Sequence, residues 1–195
     1  MKNIPSTARE SPLFEGGRLF LAPTGASDVV AVEGSVLGGS NMLLATQDVI
    51  PALVAELLDA GTAKKKKSVI REGLSERGIS LSFSASGDRT SFSGRCFPED
   101  VPTLLSIIVE CLSSANFPPA EVKNAKALML GALAEAKSDT RSEAERAFAE
   151  LLYDPDHVNY VRPEKAQEKS VTAIRRADLL EFRKMLGNGG LVLAI

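Results

Sequence analysis

Hydrophobic and polar positions change period several times along this chain, and each change marks an element. Arg18-Leu19-Phe20-Leu21 reads as a short strand before a Pro23-Thr24-Gly25 turn. A second, mostly apolar strand covers about 29 to 37 and stops at Gly38-Gly39. From Gln47 onward Ile50, Leu53, Val54, Leu57 and Leu58 recur at three- and four-residue spacing, so an amphipathic helix is predicted, ended by Gly61. A further helical stretch over about 68 to 76 stops at Gly78. Then the period becomes two. Ile79, Leu81, Phe83 and Ala85 alternate with Ser80, Ser82, Ser84 and Ser86, which predicts a strand with one apolar and one hydroxyl-lined face. Gly87-Asp88 suits a two-residue hairpin turn, and 89 to 97 returns as the partner strand.

Helices dominate the rest. Pro98-Glu99-Asp100 is a favourable first turn for a helix striped by Val101, Leu104, Leu105, Ile108, Cys111 and Leu112. Asn116-Phe117-Pro118-Pro119 breaks it. A helix over about 120 to 137 follows, then one from Thr140 striped by Ala144, Ala147, Phe148, Leu151 and Leu152. The stretch from 154 to 169 reads as an irregular surface crossing. A last helix over about 176 to 186 is closed by Gly187-Asn188, and 191 to 195 forms a final strand. The order is strands, two helices, a hairpin, four helices and a strand. That predicts an α+β two-layer sandwich, an antiparallel or mixed sheet with helices on one face. Residues 1–12, rich in Ser, Pro and charge, are expected to be a flexible terminus, and 13–195 a single domain.

Composition narrows the chemistry. In 195 residues, 23 basic against 25 acidic side chains give a net charge of −2, which argues against a nucleic-acid or polybasic membrane surface. No apolar run reaches the about 18 residues of a membrane span, and the start lacks a signal-type apolar stretch. The chain reads as soluble, with its compartment left open. One histidine and two cysteines exclude a two-histidine or four-cysteine zinc site within the chain.

The candidate residues have bland readings beside their sharp ones. Cys96 and Cys111 fall at a strand end and on a helical stripe, so buried free thiols are expected. His157, in Tyr153-Asp154-Pro155-Asp156-His157, is read as a solvated loop histidine; weak metal binding or acid–base work is the alternative. Lys64 to Lys67 read as a solvated linker. Gly38-Gly39-Ser40-Asn41 lacks the lysine of a phosphate loop and reads as a strand-ending turn. The serine face lacks a nearby base to make a nucleophile.

An ordered set of segments carries a resemblance. These are Ala52-Leu-Val-Ala-Glu-Leu-Leu-Asp-Ala-Gly-Thr62, Ser91-Phe-Ser-Gly-Arg-Cys-Phe-Pro-Glu-Asp100, Ala115-Asn-Phe-Pro-Pro-Ala-Glu-Val-Lys123, Ala149-Glu-Leu-Leu-Tyr153, and Ser170-Val-Thr-Ala-Ile-Arg-Arg-Ala-Asp-Leu-Leu-Glu-Phe182. In order and spacing they resemble one domain of the insulinase/pitrilysin family of zinc metallopeptidases, which includes the mitochondrial processing peptidase. Active members carry His-x-x-Glu-His on the first helix and a glutamate from the later long helix. On that resemblance the histidine positions fall on Ala52 and Glu56, the base position on Ala55, and the distal ligand on Gly131 or Ala132.

The resemblance therefore implies an inactive half. No catalytic, cofactor-binding or metal residue is expected in this chain, and zinc is expected in a catalytic partner half. It further implies pairing with that zinc-bearing half, in the same chain or as a separate subunit, to enclose a chamber and help hold an extended peptide substrate. This chain is expected to be an excised leading domain of a longer zinc protease. A purely structural scaffold is the alternative, and a residual enzyme using His157 a third.

Overall fold

The computed structural model describes residues 8–13, 16–25, 28–43, 47–155, 157, 159–187 and 190–195. Six strands form one mixed sheet: β1 (Arg9–Pro12), β2 (Arg18–Leu21), β3 (Val30–Leu37), β4 (Ser80–Ser86), β5 (Arg89–Cys96) and β6 (Val192–Ala194). Their order is β1-β2-β6-β3-β5-β4. The closing strand β6 inserts between β2 and β3, parallel to the first and antiparallel to the second. The hairpin closes around Gly87-Asp88, with Ser86 opposite Arg89.

Among the described residues seven α-helices complete the layer: α1 (Ile50–Leu57), α2 (Lys67–Ser75), α3 (Val101–Ser114), α4 (Pro119–Ala136), α5 (Thr140–Leu152), α6 (Glu164–Ala173) and α7 (Arg176–Met185). Alternation along the strands decides what they cover. Val32, Phe92 and Cys96 turn inward and share an apolar cluster with Ile70 and Leu74 of α2 and Leu104 and Ile108 of α3. A second cluster joins Leu53, Val54 and Leu57 of α1 to Cys111, Phe117, Val122 and Leu179. The opposite face stays polar, with Ser80, Ser82, Ser84, Ser86 and Arg95 exposed. Cross-strand bonds organise it: Ser93 donates to Glu33 Oε1 (2.6 Å), and Arg89 donates to Ser35 Oγ (2.7 Å) and to the Gly190 carbonyl.

The α3–α4 connection is pinned from several sides. Phe117 is fully buried at φ 48°, the left-handed region. Arg176 donates to the Asn116 and Phe117 carbonyls and Arg183 to that of Ala115, so α7 straps the turn.

Three expectations need correction. Residues 9–12 of the expected loose terminus are the edge strand β1, held by backbone pairing to β2 from Arg9↔Leu21 to Pro12↔Arg18; residues 1–7 lie outside the described ones. Five helices, not four, follow the hairpin, because 164–169 of the expected surface crossing begin α6. Pro163 sits at its N-cap, where a missing N–H costs nothing. Finally, the apolar stripe of α5 is not buried in the chain. Phe148, Leu151 and Leu152 are 63%, 86% and 55% exposed. The half-buried side of the same helix is polar, with Ser142, Glu143 and Arg146 bordering a recess beside Glu164 and Gln167 of α6.

Candidate functional site

α1 packs against the edge strand β4 and against α7 and α4. Its wide apolar face buries Leu53, Val54, Ala55 and Leu57, and leaves Ala52 and Glu56, one turn apart, on the exposed side. Gly131 and Ala132 are exposed on α4. Of the four positions Ala52, Ala55, Glu56 and Ala132, only Glu56 carries a donor atom. A catalytic zinc needs about three protein ligands, so this donor set does not fit the ion. Among the described residues no group of three His, Cys, Asp or Glu side chains is arranged to hold a metal.

A cleft of about 310 Å³ opens beside Ala52, where Pro155, His157, Tyr160 and Arg162 face Asp48 and Val49 at the start of α1. Asp48, just before the helix, accepts from Arg162 through both carboxylate oxygens, Oδ2 from Nε at 3.3 Å and Oδ1 from Nη2 at 2.5 Å. Arg162 Nη1 donates to Ser170 Oγ at 2.9 Å, and its side chain is 12% exposed. His157 lines the same cleft, its ring stacked on Tyr153 with centroids 4.5 Å apart. The Asn159 backbone N–H donates to His157 Nδ1 at 3.1 Å. The lone histidine is thus exposed, as the sequence implied, and it shares the cleft with Val49 and Ala52 at the start of α1. Asp156, read beside it, lies outside the described residues. Asp48 and Arg162 drew no attention in the sequence, because nothing local marks an ion pair between residues 114 positions apart.

The other candidates resolve simply. Gly38 and Asn41 spend their backbone N–H groups on the Asp88 and Gly87 carbonyls (2.9 and 2.8 Å), so this loop grips the hairpin turn and is no anion cradle. A Cβ on Gly39 would sit 2.4 Å from the Gly87 oxygen, which explains the glycine. The lysine run is not merely solvated. Lys65 pairs with Glu110 at 2.8 Å and Lys67 with Glu121, tying the loop to α3 and α4. Cys96 and Cys111 are buried free thiols, and burial, with Asp59 and Glu110 nearby, pushes Cys111 up to about 12. No described helix is long and apolar enough to cross a membrane.

The family model of Insulinase (Peptidase family M16) matches residues 52–160. The chain belongs to that family. Its fold is shared with the peptidase M16 inactive domain from Pseudomonas fluorescens, at 19% identity and TM-score 0.84 over 96% of this chain and 45% of that one. It is shared also with the periplasmic protease PqqL from Escherichia coli (15%, TM-score 0.80, 99% of this chain and 21% of that one) and with a protease from Helicobacter pylori (13%, TM-score 0.78, 96% and 45%). The chain therefore spans less than half the length of each. No curated protein matches it.

Proposed function

We propose that this chain is a non-catalytic domain of a longer insulinase-family protein, which pairs with a zinc-bearing half and helps hold extended peptide in the space between them. The observation that supports the reading is the exposed side of α1, where Ala52 and Glu56, the residues read as standing at the family's metal-binding positions, face out and offer a single carboxylate. With Ala55 at the base position and no donor at Ala132, α1 has neither a metal-bound water to activate nor a general base to activate it. Peptide is held by strand addition at β4, which forms one edge of the sheet and lies against α1. Backbone hydrogen bonding there tolerates many sequences, and the serine face of the sheet is turned to the enclosed space.

The test mixes the chain with a zinc-bearing half of its own source. Hydrolysis of an extended peptide is expected only in the mixture, and a backbone N-methylated copy of the peptide should bind at least about tenfold more weakly, because it cannot complete the ladder. Equal binding of the two peptides would remove strand addition, and hydrolysis by this chain alone would remove the whole reading. The bare apolar face of α5 favours a second reading, a scaffold that assembles with a partner without touching peptide. That reading predicts stable assembly with neither peptide bound.

A further inference from the structure

The cleft beside Ala52 contains chemistry that neither pairing nor strand addition uses. Several of its described side chains can donate: Arg162, His157, Tyr160 and Asn41. Asp48 accepts from Arg162 through both oxygens, so its charge is compensated by the guanidinium. Arg162 commits three N–H groups to Asp48 and Ser170 and retains donor capacity. With Nδ1 of His157 accepting the Asn159 N–H, Nε2 carries the ring N–H that can donate. Tyr160 and Asn41 border the same space, while Ala52 and Val49 supply an apolar wall.

We propose that this cleft binds a peptide carboxylate, with the acid among Arg162, His157 and Tyr160 and a small neighbouring side chain against Ala52. Spare donors around a cancelled ion pair suit a singly charged acceptor, through charge-assisted hydrogen bonds to the guanidinium. A phosphate dianion would find no uncompensated cation among the described groups. At about 310 Å³ the cleft has room for one or two residues, at the small end of ligand pockets. Two sources supply such a group: a peptide C-terminus, and an Asp or Glu side chain. The isolated chain holds the whole cleft, so the inference stands or falls apart from pairing with a zinc-bearing half.

The experiment titrates the full chain by calorimetry with N-acetyl-alanyl-alanine, with its C-terminal amide, and with N-acetyl-aspartyl-alaninamide. Saturable binding of either acid is expected, with the neutral amide weaker by about tenfold or more. The free acid binding alone assigns the site to a C-terminus; the aspartyl peptide binding alone assigns it to a side chain. Ala52→Leu should abolish binding by filling the cleft while leaving the thermal melt unchanged, since position 52 is exposed and leucine is a good helix former. His157→Ala should weaken binding about three- to tenfold without altering the melt, because an exposed ring contributes little to folding. Binding of the amide as tight as the acids, binding that survives Ala52→Leu, or saturable binding of neither acid would overturn the proposal.

Discussion

Glu110 shows how a single carboxylate fastens the loop that follows the motif helix. Thr62 donates to its Oε1 at 2.6 Å and Lys65 to its Oε2 at 2.8 Å, while the Thr62 hydroxyl oxygen accepts the Lys64 and Lys65 backbone N–H groups. The Lys65 hydrogen bond, then that of Thr62, holds the Glu110 carboxyl below the usual carboxylate range. A depressed folded value means that this contribution is fully present above the ordinary carboxylate pKa, about 4.3, and fades as pH falls through the lower folded value. Glu110→Gln should therefore cost about 1 kcal/mol at neutral pH and much less in acid. Urea denaturation of both proteins at pH 7 and pH 3 reads the difference. An equal cost at both pH values would contradict the assignment. The same loop shows what composition cannot reveal. Four consecutive lysines look like a solvated run, and only the tertiary placement of Glu110 and Glu121 makes two of them structural.

Elements with a strong period were legible from sequence, and elements defined by their surroundings were not. The alternation from Ile79 to Ser86 places β4 and its serine face because period two and a Gly-Asp turn need no distant partner. β1 escaped notice because Arg-Glu-Ser-Pro has neither β-branched residues nor alternation, and only pairing with β2 makes it a strand. α6 escaped because prolines and charge dominate the residues before it, and its two buried residues, Ser170 and Val171, lie near its C-terminal end. On α5 the period identified the apolar face correctly but could not say what covers it. Arg146 pairs with Glu143 and Glu150 beside the recess near α6, leaving Phe148 and Leu151 outside. Leu151→Glu is thus expected to change unfolding free energy by less than about 0.5 kcal/mol in urea melts, since the side chain is already in water. A loss of about 2 kcal/mol or more would mean that this face is packed within the chain.

For the whole molecule, fold and chemistry part company. The match over residues 52–160 makes this a member of the insulinase family, yet among the described residues no group of three His, Cys, Asp or Glu side chains is arranged to hold a metal. That Ala52 and Ala132 offer no donor atom was legible in the sequence itself. The cleft was not, since Asp48, His157 and Arg162 meet only through folding. The longer proteins that share this architecture are spanned by the chain to 45% of their length or less. The most direct measurement is zinc content: the purified full chain, equilibrated with one equivalent of the ion, passed through gel filtration and assayed by elemental mass spectrometry. We expect no stoichiometric zinc to remain with the protein. One zinc per chain, lost in Glu56→Ala, would contradict the account.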